Sequence, residues 1–222
     1  MTTLAMPKPR KDGAIEGMTA KWYAANTADM MNEYVELAER ISGQLPQSSA
    51  VLEVAPGPGY FCIELAKRGS YAITGLDISH TFVKMAAKKA AEAGVKVAFR
   101  QGSASSLPFP SDSFDFLVCR AAFKNFAQPV LALQEMCRVL RPGGRALIID
   151  LRRDVSPDVV SHHVDGMSLS AINRILTKLV FRLMLIRRAY TGEQFRQMLT
   201  QTRFSKVEVI EADIGLEISM TK

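Results

Sequence analysis

A glycine-rich turn between an apolar segment and a predicted helix constrains the fold of this chain more than any other feature. The apolar segment is Val51–Val54, and the turn Ala55–Gly59 follows it with the sequence Ala-Pro-Gly-Pro-Gly. A second apolar segment ends in Asp77, where a carboxylate is able to accept hydrogen bonds from a ribose. This order of strand, turn, helix and acid-terminated strand predicts a nucleoside-binding α/β domain.

Two details of the turn bear on which cofactor it favours. In the dinucleotide pattern G-x-G-x-x-G/A, counted from Gly57, the third place should be glycine or alanine, but it is Cys62. Glu53 stands before the turn, where its charge would repel a pyrophosphate but suits the ammonium and sulfonium of S-adenosylmethionine (SAM). The residues therefore favour SAM over NAD, with a nucleotide-dependent oxidoreductase as a competing hypothesis. In the simplest alternative, the turn is only a tight connection and Asp77 caps the next helix.

The composition is that of a globular protein with an excess of positive charge. The 222 residues suit one domain. The net charge of +6 means that acidic partners, such as nucleic acid or an anionic membrane, have to be considered. The sequence offers no RNA-binding appendage or basic–aromatic patch, so nucleic acid is not favoured as a partner. Three isolated cysteines indicate a reducing compartment and no metal site, and no apolar run reaches the ~18 residues of a membrane span. We therefore expect a cytoplasmic protein.

Predicted strands and helices alternate along most of the chain. Residues 1–17 are expected to form a flexible tail, and residues 18–222 a single domain that begins with a helix over about 19–44. Strands are predicted at 50–55, 72–77, 96–101, 114–119 and 144–150, and helices at 60–68, 80–93 and 129–140. A helical insert, 153–189, precedes a last helix, 191–202, and two consecutive strands, 204–211 and 214–220. The consecutive strands imply an antiparallel edge on an otherwise parallel sheet.

On these motifs the chain resembles the class I SAM-dependent methyltransferases. The segment Glu53–Gly59 is similar to the family's E/D-x-G-x-G-x-G turn, with Ala55 in place of the first glycine at a strand end that need not adopt a positive φ. Leu107–Asp115 and Val139–Gly144 are similar to the family's runs into strands four and five. The resemblance implies a doubly wound, Rossmann-like, seven-stranded mixed sheet of order 3-2-1-4-5-7-6. Its last strand is antiparallel, and the helical insert lies between strands five and six.

The resemblance also implies a SAM site at the carboxyl ends of the first strands. Asp77 would hold the ribose, and Ser103 stands where many members have an acid that accepts from the adenine amino group. By its position just past strand four, Arg120 would either reach toward the crevice or simply be solvated. The predicted cofactor-binding residues are Glu53, Ala55, Pro56, Gly57, Gly59, Asp77, Ile78, Gly102, Ser103, Ala104 and Arg120.

The segment Arg120–Phe126 is similar to one in quinone-ring C-methyltransferases, where an Arg-Asn pair borders the acceptor; here the pair is Lys124-Asn125. The sequence after strand four lacks the N/D-P-P-Y/F run of amino-group methylation and the Pro-Cys nucleophile of cytosine-C5 enzymes. We therefore expect methyl transfer to a small apolar acceptor. One alternative is a quinone-like or lipid acceptor at a membrane surface, and another is a non-catalytic binding protein of the same fold. The predicted acceptor contacts are Trp22, Tyr23, Phe123, Lys124 and Met167. The sequence assigns no catalytic residue; the candidates are His162, His163 and Lys124, and a histidine there could remove a proton from the acceptor or have only a structural or solvated role.

The insert contains an amphipathic stretch, Ile172–Arg188. Arg174, Lys178 and Arg182 recur every four residues and form a basic stripe, and apolar side chains cover the broader remainder. Three arrangements fit this pattern: a lid over an apolar acceptor pocket, a homodimer surface, and an interfacial helix on a membrane. The lid is the favoured expectation.

Overall fold

The fold is built on a seven-stranded sheet. The computed structural model describes residues 13–27, 31–167 and 170–222. The strands are β1 (Ala50–Val54), β2 (Ala72–Asp77), β3 (Ala98–Gln101), β4 (Phe114–Arg120), β5 (Leu140–Leu151), β6 (Lys206–Glu211) and β7 (Gly215–Thr221). Their spatial order is β3-β2-β1-β4-β5-β7-β6, and β7 pairs antiparallel with both of its neighbours. The predicted strand order and the antiparallel last strand are therefore confirmed.

Helices connect most of these strands. They are α1 (Gly17–Thr27), α2 (Met31–Ser42), α3 (Tyr60–Ala66), α4 (His80–Glu92), α5 (Pro129–Val139), α6 (Pro157–Asp165), α7 (Ala171–Val180), α8 (Ile186–Arg188) and α9 (Gly192–Leu199). A 3-10 turn, Phe123–Asn125, follows β4, and a π-helical turn, Phe181–Leu185, joins α7 to α8. The helix expected over about 19–44 is described as α1 and α2, and residues 28–30 between them lie outside the described residues.

The core lies in two layers, one on each face of the sheet. Successive side chains of a strand point to opposite faces, so Val51 packs with α2 and α3, whereas Leu52 packs with α5 and α9. Phe61 of α3 and Phe195 of α9 are fully buried in these layers. Helices on both faces explain why the parallel strands are almost continuously apolar.

The connections place a crevice at the carboxyl ends of β1 and β4. From β1 the chain passes through α3 to β2, on one side of β1, whereas β4 pairs with β1 on its other side. Ligands of doubly wound sheets bind at such a switch point. The last helix begins with a capping box, because the side chains of Thr191 and Gln194 each accept a hydrogen bond from the other's backbone N–H. Strand β5 begins four residues earlier than expected, because Leu140 already pairs with Phe114.

Candidate functional site

The turn after β1 uses left-handed backbone conformations. Gly57 and Gly59 have φ of 53° and 79°, and Ala55 has φ of 59°. The expectation that Ala55 needs no positive φ was therefore wrong: the strand ends so abruptly that this residue already turns the chain. Gly59 is also sterically required, because a Cβ there would lie 2.8 Å from the Cβ of Ala86 on α4. The turn consequently lies directly against α4.

Asp77 links the end of β2 to this turn. One carboxylate oxygen accepts a hydrogen bond from the backbone N–H of Gly57, and the other accepts one from the N–H of Ser79, each at 2.9 Å. Burial raises the pKa of Asp77, and these backbone donors oppose that rise. Ser79, rather than Asp77, supplies the N-cap of α4 by accepting from the N–H of Phe82. Asp77 therefore holds the turn in place, and each oxygen keeps a lone pair for a ligand hydroxyl.

Glu53 lies beneath the turn and is almost fully buried. Its carboxylate accepts a hydrogen bond from the thiol of Cys62 at 2.9 Å. Burial raises the pKa of Glu53 to about 7, while Arg120 lowers it and Asp77 raises it. Burial and the neighbouring Glu53 raise the pKa of the Cys62 thiol well above its usual range, so the thiol remains a donor. The sequence pattern did not reveal this contact between Cys62 and Glu53.

The ends of β2 and β3 meet beside Asp77. The N–H of Gly102 donates to the carbonyl of Asp77 at 3.0 Å, and the side-chain amide of Gln101 donates to the carbonyl of Ile78 at 3.1 Å. Ser103 is half-buried, and its hydroxyl accepts from the N–H of Ser105. Pro56 and Ala104 are buried. The predicted cofactor residues of three successive strand ends thus lie along one edge of the sheet.

Arg120 connects the end of β4 to the N-terminal region. Its guanidinium forms an ion pair with Glu33 and lies 4.4 Å from the ring centroid of Tyr34, both on α2. The ring of Tyr34 in turn lies 5.5 Å from that of Tyr60, which follows the glycine-rich turn. These contacts build one wall of the crevice from α2, and no local sequence pattern indicates them.

A segment ahead of α1 closes the other side. Glu16 accepts hydrogen bonds from the N–H groups of His80 and Thr81 at 2.9 and 3.0 Å and from the Thr81 hydroxyl. The bond from the Thr81 side chain is the largest cause that lowers the pKa of Glu16. The hydroxyl of Ser79 donates to the carbonyl of Ile15 at 2.6 Å. At the end of the expected flexible tail, residues 1–17, Ile15 and Glu16 are therefore held by hydrogen bonds to the start of α4.

Helix α1 extends from this segment across the glycine-rich turn that follows β1. The Tyr60 hydroxyl donates to the carbonyl of Ala24 at 3.0 Å. The side chains of Trp22 and Tyr23, both predicted acceptor contacts, lie outside the described residues. Residues 15–27 thus bridge α4 and the start of α3 above the edge that carries Asp77.

Lys124 is buried in an ion pair. Its ammonium lies 2.8 Å from a carboxylate oxygen of Asp150, and it also donates to the carbonyl of Ala121. Asp150 accepts from the N–H groups of Lys124 and Leu151 as well, both at 2.8 Å. The pair therefore fixes the loop after β4 against the end of β5. Sequence reasoning missed Asp150 because an acid within a strand gives no local signal of its partner.

Phe123 belongs to the core. Its side chain is fully buried, and its ring lies 4.8 Å from that of Phe195 and 5.8 Å from that of Tyr190. The adjacent Asn125 is exposed. The rim after β4 is therefore formed by Asn125, whereas the Phe123 ring supports the loop from below.

The insert is helical, as expected, and His162 and His163 are exposed on α6. The ring of His163 lies 6.0 Å from that of Phe181, and Met167 is half-buried. The basic stripe of α7 turns toward α6, where Lys178 contacts Asp165. Among the described residues, no group of three potential ligands is placed to hold a metal ion. No helix within those residues has the length and apolar character that crossing a membrane requires.

Comparison with known proteins identifies similarity over the segment that runs from β1 into β5. A family model described as a methyltransferase domain matches residues 52–148. A demethylmenaquinone methyltransferase of Deinococcus radiodurans is 41% identical over 101 residues, which are 45% of this chain and 42% of that protein. A ubiquinone/menaquinone biosynthesis C-methyltransferase of Rickettsia massiliae is 30% identical over 65% of this chain and 63% of that protein. The chain thus spans less than two thirds of the length of these curated relatives.

A solved structure extends the likeness in fold to nearly the whole chain. The putative SAM-dependent methyltransferase of Methanococcus maripaludis superposes with a TM-score of 0.75 at 21% sequence identity. The match covers 98% of this chain and 97% of that one. At 21% identity the likeness to this structure establishes the fold. The family model and the curated relatives show similarity in sequence as well, and the family model matches the segment from β1 to β5. Residues 52–148 thus match a methyltransferase domain, and the chain as a whole shares the fold of a putative SAM-dependent methyltransferase.

Proposed function

We propose that this protein transfers a methyl group from SAM to a small, apolar, quinone-like acceptor. The observation that carries the proposal is the junction of Asp77 with the glycine-rich turn. The carboxylate at the end of β2 accepts a hydrogen bond from the backbone N–H of Gly57 at the switch point of the sheet. An acid and a glycine backbone that a ligand is able to approach closely therefore lie in one crevice.

The residues of this crevice fit SAM. A Cβ added at Gly57 would meet no atom within 4 Å, so this glycine borders open space. Asp77 would accept from the ribose hydroxyls, and the ends of β2 and β3, from Ile78 to Ala104, would flank the adenine. Glu53 would contribute to the SAM site from beneath the turn, because its carboxylate is buried against Cys62.

The bound SAM would supply an activated methyl group, so the protein's task is to align an acceptor in a dry site. Glu16 and α1 would exclude water above the crevice, and the Lys124–Asp150 pair would hold the loop that ends in Asn125. A quinol acceptor also needs a group that takes its hydroxyl proton. The exposed His162 and His163 remain candidates, whereas the Lys124 ammonium already has two acceptors.

Two features support a quinone-like acceptor. The two curated relatives described above are named for demethylmenaquinone and for ubiquinone and menaquinone biosynthesis. The Lys124-Asn125 pair also lies after β4, where the similar enzymes have Arg-Asn. The buried Lys124 takes a positioning role here, which leaves Asn125 to contact an acceptor.

Calorimetry tests the cofactor. We expect SAM and its demethylated product to bind and NAD not to bind. Asp77→Ala should weaken SAM binding by about 1–3 kcal/mol, because the ribose hydroxyls lose a charged acceptor. Asp213→Ala, in an exposed turn, is the control. Equal SAM affinity in both variants would remove Asp77 from the site.

Turnover tests the acceptor. Methyl-labelled SAM is incubated with the protein and the reduced form of a ring-demethylated naphthoquinone, and with a catechol as the polar comparison. We expect mass spectrometry to find the label on a ring carbon of the quinol. Label on the catechol alone would overturn the acceptor class, and SAM binding without transfer to any acceptor would favour the non-catalytic alternative.

A further inference from the structure

Helix α7 and the turn after it expose a continuous apolar surface. Its members recur at helical spacing and are between 43% and 73% exposed: Ile172, Ile175, Leu176, Leu179, Val180, Leu183 and Met184. We refer to these side chains as the α7 apolar face. An exposed row of large aliphatic side chains is unusual for a surface helix and marks a site of interaction.

The polar side of the same helix faces the protein. Arg174 and Lys178 both form ion pairs with Asp165 of α6, at 3.6 and 2.8 Å, and Arg182 donates to the hydroxyl of Ser161 at 2.8 Å. Helix α6 is itself anchored, because Val160 is buried in the domain. The usual orientation of an amphipathic helix is therefore inverted: its charges point inward and its apolar side points to solvent.

The charge of this region is of one sign. Residues 171–188 contain five basic side chains and no acidic one. Arg187 and Arg188 are exposed, and Arg187 follows Leu183 by four residues, so it continues the α7 apolar face. An apolar strip that ends in arginines complements a surface that is apolar inside and anionic outside.

We propose that the α7 apolar face docks on an anionic lipid surface. Its aliphatic side chains would enter the boundary between headgroups and acyl chains, and Arg187 and Arg188 would pair with lipid phosphates. The inference rests on the proposed function in one respect: a membrane would bring an apolar quinone-like acceptor to the crevice.

The same observations disfavour the other two arrangements. A contact between two copies through this face would include Arg187 and Arg188 of each copy, and residues 171–188 offer no acid to pair with them. A lid over the acceptor would bring its apolar side toward the domain, but the contacts with Asp165 and Ser161 turn the charged side there.

Co-sedimentation of the full chain with vesicles tests the proposal. We expect binding to vesicles of phosphatidylcholine with phosphatidylglycerol, and much weaker binding to phosphatidylcholine alone. Leu179→Gln with Leu183→Gln should reduce the binding by about tenfold or more, because two inserted aliphatic side chains are lost. Val207→Gln with Ile210→Gln, two exposed positions of the edge strand β6, is the matched control and should bind like the wild type.

The electrostatic part is tested by Arg187→Gln with Arg188→Gln. This variant should lose the preference for anionic vesicles and the decrease of binding with salt. Lys84→Gln with Lys88→Gln, two exposed positions on α4, removes the same charge elsewhere and should retain both properties. Arg174 and Lys178 are left intact, since their contacts with α6 make them part of the fold.

Three results would overturn the proposal. One is no sedimentation of the wild type with either vesicle at low salt. Another is binding that the two leucine substitutions leave unchanged. The third is a dimer in solution that these substitutions dissociate, which would make the face a contact between copies. SAM titration of the same variants is independent of the vesicles, so a failure of membrane binding is distinguishable from a failure of the proposed function.

Discussion

Ala55 holds a left-handed backbone conformation, with φ of 59°, at the place where glycine would be free of strain. Alanine in this region costs about 1–2 kcal/mol, part of which the greater flexibility of unfolded glycine offsets. We expect Ala55→Gly to raise the free energy of unfolding by up to about 1 kcal/mol in urea denaturation. Ala87→Gly, on the exposed side of α4, should instead lower it by about 0.5–1 kcal/mol. Equal losses in both variants would show that the turn imposes no strain on Ala55.

Glu53 makes the stability of the protein depend on pH. Its pKa rises from the ordinary 4.5 to about 7, so the folded state binds the proton more tightly than the unfolded state does. The stability that this group contributes is complete below pH 4.5 and is lost as the pH rises through 7. Replacing it with an uncharged residue should remove this dependence.

The test compares Glu53→Gln with the wild type in urea at pH 5 and at pH 8. We expect the variant to gain relative stability at the higher pH, by at most about 3 kcal/mol. Glu208→Gln, on the exposed strand β6, controls for the loss of one carboxylate. A constant difference between wild type and Glu53→Gln at the two pH values would contradict the buried, high-pKa state of Glu53.

At the scale of an element, the loop after β4 depends on a buried ion pair. Lys124→Met would leave the Asp150 carboxylate buried without its counter-ion, which typically costs about 3–5 kcal/mol. Lys88→Met breaks the exposed pair with Glu92 and should cost less than about 1 kcal/mol. Urea denaturation of both variants checks the difference. Similar small losses would mean that Lys124 contributes little to holding the loop.

The segment ahead of α1 is a second such element, since Glu16 ties it to the start of α4. In Glu16→Gln one oxygen is replaced by an amide group, which cannot accept from both His80 and Thr81 as the carboxylate does. We expect faster hydrogen exchange at these two amides and faster dissociation of SAM in stopped-flow measurements. Glu39→Gln, on the exposed side of α2, should change neither. Unchanged exchange in Glu16→Gln would show that the segment is held by other contacts.

At the scale of the whole molecule, the sheet order could be predicted from sequence. The turn at Ala55–Gly59, the acid Asp77 and the two consecutive C-terminal strands each constrain one part of the topology. Together with the family resemblance they leave one strand order. Because buried parallel strands are read from continuous apolar runs, their positions were also close to those observed.

The contacts that complete the candidate site could not be predicted in this way. Glu16 and Asp150 act on residues 64 and 26 positions away, so no local pattern reveals their partners. The orientation of α7 depends on Asp165, whose two ion pairs turn the basic stripe inward. Periodicity identifies the two sides of a helix, but only the neighbouring element decides which side is buried.

The position of β7 between β5 and β6 affects how the protein is made. A ribosome completes β5 long before residues 215–221 emerge, so the outer edge of β5 has no partner during that interval. An unpaired apolar edge is a template for pairing with another chain. We therefore expect the nascent protein to be exposed to aggregation through this edge while the insert and α9 are being translated. Closing the sheet with a late strand thus leaves this edge unpaired until the end of synthesis.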